Sequence, residues 1–284
     1  HLRKAILEKK DADRGELAKV GRISRQQLDS FLLKESIPDM PAIDAIAAHL
    51  GIHLPEINVV DFLKSGYLPE AMVNFLALLG WNPGDGREVM DRQELIEAFD
   101  LSRMNKSNSL FDRQKLMSFN TEHIKRVPPE ILVSHFRRFL EVVHSPVAQA
   151  DDQLAAHLVR INEGARTLAQ IEEKCRFAFV PDEAIEYDLQ AVKKVLRKEG
   201  AIDILKIIAE RLKAMSEFTA EGLETMLRQL AEEKQAGLGK VAQPLRVAIT
   251  GATISPPIFD AVKLLGLDRT LRRIHQTIER FKDE

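Results

Sequence analysis

Apolar positions recur at three- and four-residue spacing along nearly the whole chain, which is the spacing of one face of a helix. The alternation typical of a half-buried strand is almost absent, and one short apolar stretch that resembles it is residues 177–180. Helix-start signals are frequent. Ser24 with Gln27, and Asp91 with Glu94, each place an oxygen acceptor three residues before a side chain that can reach back. The pattern predicts an all-α protein.

Two apolar segments carry particular predictions. Residues 67–81 are predicted to form a buried helix that Trp81 seals, with an apolar face of Leu68, Met72, Phe75, Leu76 and Leu79. Near the carboxyl end, Ser255 followed by Pro256 predicts another helix start. The hydroxyl can accept from free N–H groups, and a proline loses nothing in the first turn.

Prolines, glycines and charged clusters divide the chain into four stretches. A charged helical segment, broken by prolines, occupies residues 1–58. A more apolar helical block follows over residues 59–127, and two prolines open a third stretch of long helices over residues 128–187. The last stretch, residues 188–284, has the spacing of about five helices. We expect several packed units, because 284 residues exceed what one core usually organises.

Composition excludes few functions. The formal charge is only −2, so a nucleic-acid partner would have to be held by local basic faces. Cys175 is the only cysteine, which excludes an intramolecular disulfide and suits a small core residue in a reducing, cytoplasmic setting. No apolar run reaches bilayer length, so no membrane partner is expected. Because the chain begins at His1, we expect it to be part of a longer protein.

The sequence offers little for self-contained catalysis. It lacks a glycine-rich turn that follows a strand and holds phosphates, and no histidine pair on one helix face is backed by a glutamate. Glu172 and Glu173 are expected on a solvated helix face. We expect three of the eight histidines, His123, His135 and His144, to be partly exposed surface residues. We therefore predict no catalytic residue and no metal site in this chain.

Several ordered motifs carry a family resemblance. Residues 61–81 have the sequence DFLKSGYLPEAMVNFLALLGW, residues 99–107 have FDLSRMNKS, and residues 111–116 have FDRQKL. Residues 238–251 have LGKVAQPLRVAITG, and LLG at residues 264–266 is followed by Arg269. In this order, the motifs resemble the half of bacterial-type glutamyl-tRNA synthetases that follows the catalytic domain. A subgroup of that family with an insertion resembles the arrangement of residues 1–58.

The resemblance implies an activity and a set of partners. In the full-length enzyme, glutamate would be attached to glutamate tRNA with ATP and Mg²⁺, on a catalytic domain expected just upstream of His1. This chain alone would hold no cofactor and be inactive. It would bind glutamate tRNA as a cytoplasmic monomer, with neither DNA nor a membrane as a partner. The implied fold is a stem-contact helical unit at residues 59–127, followed by two helical anticodon-binding units at residues 128–187 and 188–284.

Positive charge is concentrated in residues 102–138, which hold eight Lys or Arg against three Asp or Glu. Such a face can neutralise phosphates along a tRNA stem, with an affinity that falls as salt rises. An ordinary solvated helix surface would have the same composition, so that alternative stays open here. The stem-contact candidates are Arg103, Lys106, Lys115, Lys125 and Arg126.

The resemblance also places the anticodon against the last stretch of the chain. Unpaired bases stack on guanidinium planes and present their edges to backbone and hydroxyl groups. The candidates for these contacts are Arg246, Ser255, Pro256 and Ile258. Arg246 lies on a helix that Pro244 is expected to interrupt.

Two departures from the family pattern affect this interpretation. Some members carry an arginine where this chain has Gly164, which leaves Arg160 and Arg166 nearby as further anticodon candidates. Discrimination between glutamate and glutamine anticodons is therefore left open. The family pattern Asn-Gly-x-Tyr-Ile-Arg appears as NTEHIK at residues 120–125, so His123 stands in place of the tyrosine and Lys125 in place of the arginine.

Two other classes of function stay open. Residues 14–51 are compatible with short helices in which residues 24–27 open a recognition helix, as in a DNA-binding regulator. That interpretation leaves the rest of the chain unexplained. A helical protein–protein scaffold, derived from a synthetase body, is the second alternative. Binding that depends on the anticodon would favour the tRNA hypothesis over both.

Overall fold

A computed structural model describes residues 2–8, 13–52, 54, 56, 58–105 and 110–282. These residues form helices and connecting loops, and their one strand-like pairing is an isolated bridge between Trp81 and Met104. The all-α prediction is confirmed. The strand-like stretch at residues 177–180 lies mostly in a 3-10 helix (Arg176–Phe179), so that exception is wrong. The chain divides into two compact units, His1–Asp61 and Phe62–Glu284.

The described residues of the first unit form four short helices around a small core. These are α1 (Leu2–Glu8), α2 (Arg14–Val20), α3 (Arg25–Leu32) and α4 (Met40–His49). The predicted start of α3 is confirmed: Ser24 Oγ accepts from the Gln27 N–H at 3.1 Å, and Gln27 Oε1 accepts from the Ser24 N–H at 2.8 Å. The core consists of Leu2, Ile6, Leu17, Ala18, Leu28, Phe31, Leu32, Ile46 and Ala47.

The next helices along the chain are α5 (Val59–Lys64), α6 (Pro69–Gly80), α7 (Arg92–Ala98) and α8 (Arg113–Arg126). Between α6 and α8, Phe75 meets Phe119 edge to face, with ring centroids 5.8 Å apart. The capping box predicted at Asp91 is present, because Asp91 Oδ1 accepts from the Glu94 N–H at 2.8 Å and Glu94 Oε2 accepts from the Asp91 N–H.

The helix predicted over residues 67–81 is only partly as expected. Leu68 and Trp81 are buried at its two ends. Leu76, however, is 48% exposed, and the inward face carries the buried Asn74 instead. Asn74 Oδ1 accepts from the Met90 N–H at 3.0 Å, which stabilises the amide among apolar neighbours. The apolar spacing therefore located the helix but placed Leu76 on the wrong face.

Helices α9 (Pro129–Val142), α10 (Asp152–Arg160) and α11 (Leu168–Cys175) pack into the same core as Leu68. The backbone of Gly66, at φ +80°, comes so close to α11 that a Cβ there would lie 2.3 Å from Ala169 N. Buried Asn120 adds a polar link: Oδ1 accepts from the Leu68 N–H at 2.7 Å, and Nδ2 donates to the Arg166 carbonyl at 2.6 Å. Residues from both sides of the boundary predicted at residues 127 and 128 thus share one core.

The rest of the chain forms a second large core. A short α12 (Leu189–Ala191) continues into one π-helical turn (Val192–Leu196). Five longer helices follow among the described residues, as expected: α13 (Ala201–Lys213), α14 (Ala220–Glu233), α15 (Leu238–Thr250), α16 (Ile258–Leu265) and α17 (Leu267–Phe281). The four-stretch division itself stays a prediction.

Candidate nucleic-acid interface

Arg246 lies half-buried on α15, and that helix runs through Pro244 without a break. The expected interruption is therefore wrong. Arg246 Nη1 donates to Ser255 Oγ and, at 2.9 Å, to the Pro256 carbonyl. The structure thus brings together three of the predicted anticodon-contact residues on the surface between α15 and α16.

Ser255 does not start the following helix as predicted. α16 begins at Ile258 with Pro257 at its N-cap, while the Ser255 hydroxyl donates to the Pro256 carbonyl at 2.6 Å. The hydroxyl is engaged by Arg246 and by that carbonyl, so it caps nothing. The Ile258 side chain is 7% exposed and packs in the core, which leaves the backbone as its means of contact with a ligand.

Two polar atoms of α15 are buried and have no hydrogen-bond partner among the described residues: Arg246 Nε and Gln243 Oε1. Gln243 precedes Arg246 by three residues, so both side chains share one helix face. Burial lowers the pKa of Arg246, but a guanidinium stays charged in proteins. The face therefore contains one donor and one acceptor that are buried without hydrogen bonds. Sequence reasoning missed Gln243, whose one signal was a polar position in the apolar run of residues 241–249.

The loop after α15 is held at a fixed position. Gly251 has φ +77°, and a Cβ there would lie 2.0 Å from the Glu186 carbonyl oxygen. The Asp188 N–H donates to the Gly251 carbonyl at 2.9 Å. A groove beside this loop, which the sequence did not predict, is lined by charged residues of both signs and by apolar residues; its lining includes Glu173, Lys174, Arg176 and Ile254.

Arg160 and Arg166 have contacts that do not involve the residues of the Arg246 site. Arg160 Nη2 is 2.9 Å from His157 Nδ1, and Arg166 Nε is 3.4 Å from Thr121 Oγ1. No hydrogen bond or ion pair between described residues joins either arginine to Arg246. Arg160 instead lines a groove between α8, α9 and α10 that also contains Lys125, Arg126 and Arg137. The structure therefore groups Arg160 with the predicted stem-contact face.

Four of the five predicted stem-contact cations already have partners within the chain. Three of them fasten the loop at residues 82–90: Arg103 donates to the Pro83 carbonyl, Lys115 to Glu88 at 2.8 Å, and Arg126 to the Val89 carbonyl at 2.9 Å. Lys125 pairs with Glu122 one turn away, also at 2.8 Å. Lys106 lies outside the described residues. Exposed ion pairs of this kind are weak, so a phosphate can replace the carboxylate.

Two side chains expected at the surface are buried. His123 is 3% exposed; its Nε2 lies 3.0 Å from Asn74 Oδ1, and burial lowers its pKa. Glu172 is 7% exposed and accepts from Ser145 Oγ at 2.5 Å. The surface prediction is wrong for both, because each has a polar partner from a distant part of the chain.

The other candidate side chains are placed as expected. His135 is partly buried with Nε2 3.0 Å from Glu70 Oε1, and His144 is exposed. Cys175 is a core residue, and burial raises the pKa of its thiol to about 12. In the part of the chain that the structure describes, no group of three or more His, Cys, Asp or Glu could hold a metal ion. No helix in that part combines the length and apolarity that crossing a bilayer requires.

Family comparisons match two parts of the chain. Residues 131–278 match the family model described as an anticodon-binding domain. Residues 56–118 match the model described as the catalytic domain of class I tRNA synthetases (E and Q). The second model therefore also matches residues 61–81, which were expected to follow the catalytic domain.

Curated relatives agree with these matches. A glutamate–tRNA ligase of Syntrophobacter fumaroxidans is 37% identical over 226 residues, covering 80% of this chain and 47% of that protein. A glutamate–tRNA ligase of Thermodesulfovibrio yellowstonii is 35% identical over 225 residues, covering 78% and 48%. The chain spans about half the length of these curated relatives.

Solved structures show the same fold. A glutamate–tRNA ligase of Elizabethkingia meningosepticum, in complex with its amino acid, has a TM-score of 0.64 at 23% identity. A glutamate–tRNA synthetase of Elizabethkingia anophelis has a TM-score of 0.62 at 24% identity. Each likeness covers 90% of this chain and 59% of the solved one.

Proposed function

We propose that this chain, which belongs to the anticodon-binding domain family and is a homologue of the glutamate–tRNA ligases, is the tRNA-binding half of such a ligase. The whole protein would attach glutamate to glutamate tRNA with ATP, in the cytoplasm. This half would select the tRNA and orient it, because a held anticodon fixes where the acceptor end lies. Alone it would not aminoacylate.

The observation that carries the proposal is the polar face of α15. Arg246 Nε and Gln243 Oε1 are buried without partners, beside the Ser255 hydroxyl that Arg246 positions. A base edge offers both donors and acceptors, so an unpaired anticodon base that displaced the atoms covering this face would give both atoms partners. Buried polar groups that lack partners cost free energy, and binding a base would recover that cost.

The basic residues of α8 supply the second part of the proposal. Lys115 and Lys125 project from one helix, with side chains 45% and 58% exposed. Their carboxylate partners compete with phosphate only weakly, since exposed ion pairs contribute little. This face would hold the tRNA backbone without regard to sequence, and the Arg246 site would supply discrimination.

Adenylate chemistry is assigned to the rest of the ligase. The curated relatives are about twice as long as the part that this chain matches, so we assign the ATP and Mg²⁺ of the whole enzyme to the other half. The tRNA contacts proposed for this chain require neither.

Filter binding with labelled transcripts tests the proposal. The purified chain is titrated against glutamate tRNA, glutamine tRNA and an unrelated tRNA, at low and at physiological ionic strength. We expect all three to bind at low salt, with glutamate tRNA retained best as salt rises, because phosphate contacts weaken first. Equal loss of all three tRNAs as salt rises would contradict anticodon selection. A complex of one chain per tRNA, measured by light scattering, is expected of a monomer.

A further inference from the structure

Two helices of the first unit are joined by a short turn, as they are in a helix-turn-helix. Helices α2 and α3 are joined by the four residues 21–24, and α4 packs against α2. Two helices joined by a turn of three or four residues, often with a glycine, are the arrangement in which the second helix enters the DNA major groove. Neither matched family model includes residues 2–52, since the matches begin at residue 56.

The turn between α2 and α3 is tightly specified. A Cβ on Gly21 would lie 2.8 Å from Ile46 Cδ1 on α4, so a larger residue would require the Ile46 side chain to move. Arg22 takes the left-handed conformation with φ 53°, and the Ile23 N–H closes the turn on the Ala18 carbonyl at 3.0 Å. The Ser24 capping box then starts α3. These contacts fix the angle at which α3 leaves the unit.

The amino-terminal end of α3 is polar, exposed and cationic. Arg25, Gln26 and Gln27 are all exposed, whereas Leu28, Phe31 and Leu32 anchor the opposite face in the core. Residues 17–28 contain three basic residues (Lys19, Arg22 and Arg25) and no acidic residue. The one acid within α3, Asp29, is paired with Arg14 at 3.3 Å, which offsets its charge.

We propose that this unit is a duplex-DNA-binding module, with Arg25 and Gln26 on α3 making contacts to base edges in the major groove. Arginine pairs with the guanine edge and glutamine with the adenine edge, each through two hydrogen bonds. Lys19 and Arg22 lie along the approach to α3 and match the charge of the phosphates. This goes beyond the tRNA function and departs from the expectation that the chain has no DNA partner.

Groove geometry favours DNA over a tRNA stem as the occupant. The major groove of B-form DNA is about 12 Å wide and admits a helix. The major groove of A-form RNA is deep and narrow, so side chains on a helix do not reach its bases. A helix held with its polar end outward therefore fits the major groove of B-form DNA but not that of A-form RNA.

Selection from random DNA tests the proposal with the full chain. A pool of duplexes with a randomised core of about 20 base pairs, which spans two turns of the helix, is bound, recovered and sequenced over several rounds. The affinity of an enriched duplex is then measured for the wild type, Arg25→Ala and Gln26→Ala. Gln93→Ala is the matched control, because Gln93 is also exposed but lies on α7.

We expect the pool to converge on a shared motif, and each α3 variant to lose about tenfold or more in affinity for it. Gln93→Ala should bind like the wild type, and all variants should keep the affinity of the wild type for glutamate tRNA. A pool that does not converge, or α3 variants that bind like the wild type, would overturn the proposal. A matching loss of tRNA affinity would also overturn it, by placing α3 on the RNA surface. Failure here would leave the tRNA proposal intact.

Discussion

Arg273 donates from Nε to Asp182 Oδ1 at 2.8 Å, and the Arg273 side chain is fully buried on α17. Arg269 and Arg272 donate to the same carboxylate at 2.9 and 3.0 Å. Burial opposes ionisation of Asp182, but the bonds from the three arginines outweigh it and lower its pKa. One carboxylate thus ties the last helix to the 3-10 turn at Asp182–Ala184.

Asp182→Ala should therefore be strongly destabilising. It leaves the buried Arg273 charge without its acidic partner, which costs about 3 to 5 kcal/mol in comparable buried pairs. Urea unfolding measures the loss. Glu183→Ala, at the exposed neighbouring position, is the matched control and should change stability by no more than about 0.5 kcal/mol. Similar losses for the two variants would show that the arginine cluster is not stabilising.

Asn120→Ala should loosen the contact between α8 and the turn before α11. The change removes the acceptor of the Leu68 N–H and the donor to the Arg166 carbonyl, both within the fold. An unsatisfied buried group costs about 1 to 3 kcal/mol, so the sum should be at least about 2 kcal/mol. Asn105→Ala removes an exposed amide and serves as the control in the same unfolding experiment. Equal stability of the two variants would contradict the assignment.

His123 should make the fold sensitive to mild acid. Burial lowers its pKa in the folded chain, whereas the unfolded chain keeps a value of about 6.5. The unfolded state then binds more protons between these two values. The contribution of the neutral imidazole is complete above about pH 6.5 and is lost as pH falls through the folded pKa.

The free energy of unfolding, measured from pH 8 to 5, checks this dependence. His123→Gln keeps an N–H donor for Asn74 and cannot titrate, so its stability should fall less over that range than the wild-type value. His144→Gln changes an exposed histidine and should follow the wild type. If the free energy of unfolding fell equally with pH in all three proteins, the buried imidazole of His123 would not be the cause of the fall.

Local signals in the sequence predicted local structure well. The capping boxes at Ser24 and Asp91 depend on residues three positions apart, and both are present. Buried polar groups were missed, because their partners are distant: His123 and Asn74 are 49 positions apart, and Ser145 and Glu172 are 27 apart. No helical period predicts such pairs.

The candidate site was likewise predicted only in part from the sequence. The resemblance named Arg246, Ser255 and Pro256 as separate anticodon candidates, and the structure shows that Arg246 contacts the other two. The role given to Ser255 as a cap failed, since the guanidinium that engages its hydroxyl comes from another helix. Gln243 became a candidate only when the structure showed its amide oxygen buried and unpaired.

Lys125→Gln should weaken all tRNAs alike and flatten the salt dependence of binding. Removing one phosphate-binding charge lowers the slope of log affinity against log salt by about 1. Lys206→Gln is the matched control: Lys206 pairs with Asp203 one turn away at 3.1 Å and is 56% exposed, close to the 58% of Lys125. Unchanged slopes for both variants would remove Lys125 from the stem-contact face. Lys106 is also predicted to contact the stem of every tRNA, and the same assay can test it.

If α15 discriminates between anticodons, replacing the anticodon should weaken binding in a way that depends on Arg246 and Gln243. The dissociation constant is measured for a glutamate tRNA transcript and for the same transcript with its anticodon replaced, using the wild type, Arg246→Lys, Gln243→Ala and Arg228→Ala. Arg228 is exposed on α14 and paired with Glu224, so its loss controls for the removal of an arginine. Thermal unfolding confirms that each variant is folded.

We expect the wild type and Arg228→Ala to prefer the native anticodon. Arg246→Lys and Gln243→Ala should lose about tenfold of that preference or more, mainly through weaker binding of the native transcript. Folded Arg246→Lys and Gln243→Ala proteins that kept the full wild-type preference would show that α15 does not select the anticodon.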